Sequence, residues 1–243
     1  MYEKEINKYL ERHGFRTFSP KAVLFDMDGV LYDSMPNHAY SWHTSMKTLG
    51  LDMPPEDAYK YEGMRGVETI KLIAREQWHR ELNDDEAKRM YEEKARVFSL
   101  CPAAGIMEGV RDLQHKIKAD DMKIVVVTGS GQRSLLDRLV MEFDGLVTPE
   151  LIVSSFDVTH GKPNPEPYLK GLQKAGVEPW EAIVVENAPL GVRAGVSARV
   201  FTVAVNTGPL PDRMLTEEGA NVVFGSMPEF RDSWETLKAD FHK

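Results

Sequence analysis

VLFDMDGVLYDS, at residues 23–34, runs from a short apolar segment into two aspartates, Asp26 and Asp28, and a glycine. A short apolar run that is bounded by a turn signal is typical of a buried parallel strand. Two carboxylates one residue apart repel each other unless a cation or a reaction makes use of them. The stretch therefore predicts a strand that ends in a reactive site.

Further short apolar runs follow the first one along the chain. Together with residues 22–25, they predict strands at residues 123–127, 151–153, 182–185, 200–205 and 221–224. Segments of helical length and period separate most of these runs, for example residues 130–141, 165–175 and 189–196. Strands that alternate with helices form a parallel sheet with helical crossovers. We therefore expect an α/β fold with a doubly wound parallel sheet.

Residues 34–104 interrupt this alternation, because they contain helix-forming residues and no convincing strand. Val67, Ile70 and Ala74 fall on one helical face at spacings of three and four. The pattern predicts an inserted α-helical cap at residues 34–104 and a core domain made of residues 1–33 and 105–243. The first nineteen residues predict an additional helix on the outside of the core.

Composition and charge narrow the classes of function. The chain has 243 residues, of which 42% are hydrophobic, and a formal net charge of -8. An acidic balance argues against nucleic acid as a partner, since basic surfaces bind nucleic acids. The single cysteine excludes an internal disulfide, and the N-terminal region has no apolar segment long enough for a signal peptide or a membrane span. We expect a cytoplasmic protein without a membrane partner, and the compact core favours a monomer.

Polar residues stand at the ends of the predicted strands, where open α/β sheets bind ligands. They are Asp26, Asp28, Thr128, Lys162, Glu186 and Asn187. An aspartate such as Asp26 can attack phosphorus, and Asp28 can serve as general acid and base. Lys162 supplies fixed positive charge for the phosphoryl group. The set therefore predicts phosphoryl transfer through an aspartyl phosphate.

Two further parts of such a site are predicted from the same region of the sheet. A magnesium ion held by Asp26 and its neighbours would offset the repulsion between the carboxylates and a phosphate substrate. Thr128 and the backbone amides of Gly129 and Ser130, at the start of a predicted helix, are placed to hold phosphoryl oxygens. We therefore expect Mg²⁺ as the cofactor.

Four short motifs, DMDGV, TGS, GKP and ENAPLG, stand in this order at the ends of successive predicted strands. They resemble the four signature motifs of the haloacid dehalogenase superfamily, and the resemblance covers nearly the whole chain. A helical cap directly after the first motif, with GKPNPEPY and LGVRAG later, is similar to the β-phosphoglucomutase-like subgroup. The resemblance implies a magnesium-dependent mechanism with Asp26 as nucleophile and Asp28 as acid/base and backbone-carbonyl metal ligand. It also implies that Thr128 and Lys162 contact the phosphate and the nucleophile.

The fourth motif departs from the pattern of that subgroup. The subgroup usually has two acidic residues there, the second a metal ligand, whereas this chain has Glu186 and Asn187. An amide oxygen can still bind magnesium, but the site loses one negative charge. Glu62, in the loop YEGMRGVET, lies where cap residues of the subgroup reach the substrate, and we expect it to complete the metal site when the cap closes. The predicted ligands are then Asp26, Asp28, Glu62, Glu186 and Asn187.

Two functions fit this site, and the cap distinguishes them. The first is a phosphohydrolase for a small phosphorylated metabolite, with inorganic pyrophosphate as the leading candidate, as in the pyrophosphatase-type members that the chain resembles. The second is a β-phosphoglucomutase, which interconverts β-glucose 1-phosphate and glucose 6-phosphate, or a sugar phosphatase. A mutase needs cap cations for a second phosphate, and the cap loop near Glu62 offers Arg65 and little else. This shortage of cations favours the hydrolase.

Two cap residues are predicted to contact the substrate. His38, on the first cap helix, matches a position that lines the site in the subgroup, and Arg65 follows Glu62 in the cap loop. A third class, a phosphate sensor without activity, is disfavoured because the four residues predicted to carry the chemistry are all present.

Overall fold

A six-stranded parallel sheet forms the centre of the molecule. The computed structural model describes residues 1–131 and 133–241. The strands are β1 (Ala22–Phe25), β2 (Lys123–Val127), β3 (Ile152–Val153), β4 (Ala182–Glu186), β5 (Phe201–Val205) and β6 (Val222–Phe224). Their order in the sheet is β3-β2-β1-β4-β5-β6, and every neighbouring pair is parallel. The predicted doubly wound α/β fold is confirmed.

Alternate residues of the strands face two different hydrophobic clusters. In β1, Val23 and Phe25 belong to one cluster, and Ala22 and Leu24 belong to the other. Successive side chains of a strand point to opposite faces of a sheet, so packed layers must cover both faces. All four residues of β1 are completely buried. This burial on both faces explains why the strands are continuous apolar runs in the sequence.

Helices cover the sheet and fill the long connection after β1. In chain order they are α1 (Glu3–His13), α2 (Met35–Thr48), α3 (Pro55–Lys60), α4 (Gly66–Trp78), α5 (Asp84–Ser99), α6 (Val110–Ala119), α7 (Arg133–Glu142), α8 (Glu166–Ala175), α9 (Pro189–Ser197), α10 (Asp212–Glu217) and α11 (Met227–Ala239). Helices α1, α6, α7 and α11 bury residues in the first cluster, and α8 and α9 in the second. Across residues 1–131 and 133–241, no helix has the length and apolar character that a membrane span requires.

Helices α2 to α5 form a hydrophobic cluster of their own. Its buried members include Trp42, Ile70 and Ala74. The chain segments that enter and leave these helices lie side by side, because Asp33 N donates to Gly105 O (2.9 Å). A separate apolar cluster on two adjacent crossings is the arrangement expected of a hinged lid. It supports our proposal that residues 34–104 are a cap on a core of residues 1–33 and 105–243.

The register of the sheet brings the ends of its central strands together. Phe25 of β1 pairs with Val126 of β2 and with Val185 of β4. The strand order reverses around β1, and the carboxyl ends of parallel strands at such a point border a crevice. The residues that follow β1, β2 and β4 therefore meet at one edge of the sheet, where the candidate site lies.

Candidate active site

Asp26 follows β1 directly, and only 4% of its surface is exposed. Its backbone N–H donates to Val185 O (3.0 Å), which fixes the residue beside β4. Oδ1 accepts a hydrogen bond from the Lys162 ammonium, whereas Oδ2 has no hydrogen-bond partner among the described residues. Burial raises the pKa of Asp26 to about 7, although Lys162 opposes the shift. One carboxylate oxygen is therefore held, and the other is available to attack phosphorus or to bind a cation.

The Lys162 ammonium lies between two buried carboxylates. Lys162 is 2% exposed, and its Nζ donates to Asp26, to Glu186 Oε1 (2.6 Å) and to Val127 O (3.2 Å). Burial by itself would lower the pKa of Lys162, but the two carboxylates raise it above its usual value. The structure therefore places a permanent positive charge against the predicted nucleophile.

Glu186, the last residue of β4, is surrounded by donors from its own chain. Its Oε1 accepts from Lys162 and from the Tyr168 hydroxyl (2.5 Å). Its Oε2 accepts from Asn187 N (3.1 Å) and, at 3.5 Å, from Ala188 N. A carboxylate has about four lone-pair positions, and these contacts use them. Direct metal binding by Glu186 stays a prediction, and the observed contacts hold Lys162.

Asp28 lies in the turn that follows β1. Gly29 has a φ of 82°, a conformation that glycine adopts without steric cost. Asp28 Oδ1 accepts from Ser34 Oγ (2.6 Å) and lies 3.3 Å from His38 Nε2. Burial would raise the pKa of Asp28, but His38 and Ser34 outweigh burial and hold it below its usual value. The ionised form at neutral pH is the form that removes a proton from a water molecule.

A buried lysine of the cap, Lys94 on α5, contacts His38. Its Nζ lies 3.1 Å from His38 Nδ1, and 4.6 Å and 5.3 Å from the ring centroids of Phe98 and Trp42. Burial lowers the pKa of Lys94 to about 8 and also lowers the pKa of His38. Because the ammonium donates to Nδ1, the neutral imidazole carries its proton on Nε2, which lies 3.3 Å from Asp28 Oδ1 without meeting hydrogen-bond geometry. Lys94, His38 and Asp28 thus form a line from the cap to the predicted acid/base.

The sequence contains one signal for Lys94, although Lys94 is not among the predicted site residues. It lies four residues after Met90, which packs against the hydrophobic cluster of the cap, and three residues before Val97, which is buried. A lysine on such an apolar helical face is rarely buried without a partner or a function. The interruption of the apolar face could have identified it, but only the tertiary structure shows that the ammonium faces His38.

Thr128, Gly129 and Ser130 follow β2 at the same edge of the sheet. Thr128 N donates to Val153 O (2.9 Å), and Thr128 Oγ1 accepts from Ser130 N (3.0 Å). The helix predicted at residues 130–141 begins at Arg133 instead, so the three residues form a loop before the helix. Gln132, within the predicted helix, lies outside the described residues. Phosphate binding by this loop stays a prediction, and the loop follows β2, the neighbour of the strand that precedes Asp26.

Among the residues directly after β1 and β4, two buried side-chain oxygens, Asp26 Oδ2 and Asn187 Oδ1, have no hydrogen-bond partner in the described parts of the chain. A Cβ built on Gly29 would lie 2.0 Å from Asn187 Nδ2, so the amide nitrogen faces the turn and the oxygen points away from it. Buried oxygens without donors suit a hard cation such as Mg²⁺. No three carboxylate, imidazole or thiol side chains of the described chain converge on one point. Asp26 Oδ2 and Asn187 Oδ1 fit a Mg²⁺ ion chemically, and metal binding by these residues stays a prediction.

A cavity of about 60 Å³ lies between the cap helices and the core loops. Asp28 lines it from the core, and His38, Glu62 and Lys94 line it from the cap. Burial, followed by the charges of Asp28 and Asp26, raises the pKa of Glu62 to about 8, and Lys94 opposes the shift. The Glu62 and Asp28 side chains therefore line the same cavity from opposite sides. Metal binding by Glu62 stays a prediction, and its position is compatible with that role.

Arg65 lies on a different side of the same cap loop. Its Nη1 donates to Thr159 O (3.0 Å), and the side chain is exposed. It lines a small cavity with Thr128 and Lys162, and it is not in the lining of the cavity that contains Asp28. Substrate binding by Arg65 stays a prediction, and the observed contact joins the cap loop to a core loop.

Comparison with known proteins gives a family match that includes the four motifs. A sequence model of the haloacid dehalogenase-like hydrolases matches residues 23–205, from β1 to β5. The chain belongs to this family. The match confirms the resemblance that the four motifs indicate, and it includes both predicted aspartates, Lys162 and the Glu186–Asn187 pair.

Individual relatives carry both hydrolase and mutase names. A solved structure from Bacteroides vulgatus, provisionally named a beta-phosphoglucomutase, has a TM-score of 0.96 and 50% identity and covers 100% of this chain and 98% of its own. A phosphorylated carbohydrates phosphatase of Thermotoga maritima is 30% identical over 201 residues, 82% of this chain and 92% of the relative. A Clostridium perfringens protein, provisionally named a pyrophosphatase, is 30% identical over 240 residues, 90% of this chain and 99% of the relative. Family membership alone therefore leaves the reaction to be argued from the site.

Proposed function

We propose that this protein is a magnesium-dependent phosphohydrolase that acts through an aspartyl phosphate, with inorganic pyrophosphate as its preferred substrate. The observation that carries the proposal is the presence of Glu62 and Lys94 together in the cavity of about 60 Å³ that contains Asp28. A carboxylate and an ammonium enclosed with the predicted acid/base suit a compact anion that binds with its metal.

The residues of this chain divide the proposed chemistry among them. Asp26 Oδ2 attacks phosphorus, while Lys162 holds Oδ1 and neutralises charge on the phosphoryl group. Asp28 protonates the leaving oxygen and later removes a proton from the water that hydrolyses the aspartyl phosphate. A substrate phosphate beside Asp28 raises its pKa, which favours the protonated form for the first step. When bound, Mg²⁺ supplies positive charge that offsets the repulsion between substrate and carboxylates.

Two features favour pyrophosphate among small phosphates. Glu62 gives the cap a carboxyl group, and the ionised form of that group disfavours an anionic leaving group unless a metal ion binds with it. The relative from Clostridium perfringens also bears a provisional pyrophosphatase name.

We further propose that the protein acts as a monomer in the cytoplasm, because a net charge of -8 favours solubility and a single cysteine fits a reducing compartment.

A β-phosphoglucomutase is the second candidate, and Lys94 is the observation that favours it. The sequence points to a cap loop with few cations, but α5 places a buried ammonium in the cavity. A cap cation can hold the second phosphate of a sugar bisphosphate. The relative from Bacteroides vulgatus bears a provisional mutase name. Glu62 opposes this candidate, because a carboxyl group that lines the same cavity as Lys94 weakens the attraction for a second phosphate.

Product analysis separates the two functions. Phosphate release in the presence of Mg²⁺ is measured from pyrophosphate, β-glucose 1-phosphate and other sugar phosphates, with wild type, Lys94→Met and Lys88→Met. Lys88 is exposed on the same helix and controls for loss of a cap charge. We expect pyrophosphate hydrolysis to fall about 100-fold in Lys94→Met alone. If β-glucose 1-phosphate is converted to glucose 6-phosphate faster than phosphate is released, the protein is a mutase and the proposed hydrolase function is wrong.

A further inference from the structure

The position of the Lys162 ammonium depends on a buried carboxylate. Lysine has a long, flexible side chain, and its charge has no preferred geometry of its own. Here the ammonium is fixed by Val127 O at 3.2 Å, by Asp26, and by Glu186 Oε1 at 2.6 Å. Glu186 is 1% exposed, so water cannot take over its role. Any group that fixes Glu186 therefore also fixes Lys162.

Two residues, Tyr168 and Gly191, fix Glu186. The Tyr168 hydroxyl donates to Glu186 Oε1 at 2.5 Å, and the Lys162 ammonium lies 5.2 Å from the centroid of the same ring. Gly191, on α9, leaves the space that the carboxylate occupies, because a Cβ at this position would lie 2.0 Å from Glu186 Cδ. Tyr168 is completely buried. One residue therefore orients the carboxylate by a hydrogen bond, and the other by the absence of a side chain.

We propose that Tyr168 and Gly191 are positioning residues that act through Glu186 to hold the Lys162 ammonium against Asp26. Both oxygens of Glu186 accept hydrogen bonds from the protein, Oε1 from Lys162 and Tyr168 and Oε2 from Asn187 N, and Glu186 does not bind the metal directly. The inference rests on the proposed function, because Lys162 acts on the phosphoryl group only if phosphoryl transfer takes place. Tyr168 and Gly191 carry no charge and offer no typical metal ligand, so a search for charged or metal-binding residues would not find them.

Tyr168→Phe is the decisive variant, because it keeps the ring and removes only the donor. Tyr9→Phe is its matched control, since Tyr9 is also buried and its hydroxyl donates to Pro179 O and Arg199 O, away from the site. We expect kcat with pyrophosphate to fall about 10-fold to 100-fold in Tyr168→Phe, since a small misplacement of a catalytic group has effects of this size. KM should stay within about threefold, because the cap residues that line the cavity around Asp28 are unchanged.

Magnesium binding to the protein without substrate, measured by calorimetry, supplies a readout that is independent of turnover. We expect the Mg²⁺ dissociation constant of Tyr168→Phe to stay within about threefold of wild type, because Glu186 is not a ligand. If Mg²⁺ binding weakens about as much as kcat falls, Glu186 acts as a metal ligand and the inference is wrong. An unchanged kcat in Tyr168→Phe also overturns it.

A glycine pair on α9 tests the steric part. Gly191→Ala places a methyl group against Glu186, whereas Gly195→Ala, one turn later, places it against Thr202 and Val184. Both variants add a methyl group on the same helix. We expect kcat to fall about tenfold more in Gly191→Ala than in Gly195→Ala, and this difference would be due to displacement of Glu186. Equal losses in the two variants overturn the role of Gly191. Absence of turnover of every phosphate by the wild type would instead refute the proposed function.

Discussion

Glu62→Gln removes one ionisable group from the cavity between the cap and the core and keeps the size of the side chain. The pKa of Glu62 is raised from 4.5 to about 8, first by burial and then by Asp28 and Asp26. Between these pH values, the folded protein holds a proton that the unfolded chain has released. The metal-free wild type therefore loses stability as the pH rises through this window. Glutamine does not titrate, so the variant escapes the loss.

The size of the effect follows from the same values. A pKa that is higher by about 3.5 corresponds to at most about 5 kcal/mol, at about 1.36 kcal/mol for each pKa unit. Glu62 is only half-buried, and solvent screening together with opening of the cap reduces the expected gain of the variant to about 2 kcal/mol. For a chain of this length, that raises Tm by about 4–8 °C. Mg²⁺ should reverse the order, because a bound cation stabilises the ionised carboxylate of the wild type.

Thermal unfolding of wild type, Glu62→Gln and Glu92→Gln measures both effects, at about pH 5 and about pH 9, with EDTA and with Mg²⁺. Glu92 is exposed on α5, so Glu92→Gln controls for loss of a cap carboxylate and should follow wild type. We expect Glu62→Gln to exceed wild type only at the higher pH without metal. Equal Tm values there would show that Glu62 does not face the aspartates. An equal gain from Mg²⁺ in both proteins would show that Glu62 is not a ligand.

Three further substitutions test other parts of the site. Asn187→Asp restores a full negative charge beside Asp26, and we expect calorimetry to show Mg²⁺ binding that is about tenfold tighter; unchanged binding would exclude Asn187 as a ligand. Lys162→Met leaves two buried carboxylates without a cation, so denaturant unfolding should show a loss of about 3–5 kcal/mol at neutral pH and a smaller loss in acid, where the carboxylates take up protons; an equal loss at both pH values would contradict this reasoning. Arg65→Met breaks the hydrogen bond to Thr159 O, worth about 1 kcal/mol, so KM for pyrophosphate should rise about fivefold. A fall of more than about 100-fold in kcat of Arg65→Met would instead indicate direct contact with the substrate.

The sheet could be predicted because its strands are short, continuous apolar runs. Residues 22–25 and 123–127 were expected as strands, and β1 and β2 have these bounds. Burial on both faces leaves only one polar residue in these two strands, the exposed Lys123 at the start of β2. The start of α7 could not be predicted as well. Ser130 N donates to Thr128 Oγ1, and such a local hydrogen bond competes with helix formation at Ser130, whereas the described helix starts at Arg133.

The sequence by itself determined which residues stand at the ends of the strands, and the order of strands then brought Asp26, Thr128 and Glu186 to one edge. Such information is local, because a strand end is marked by the residues next to it. Only the tertiary structure decided what faces these residues from far along the chain. Lys94 lies 56 residues from His38 and contacts it across the cap, and Tyr168 reaches Glu186 of β4 from helix α8. Contacts of this kind depend on how separate elements pack, and no periodicity or spacing in the sequence encodes the direction of a single side chain.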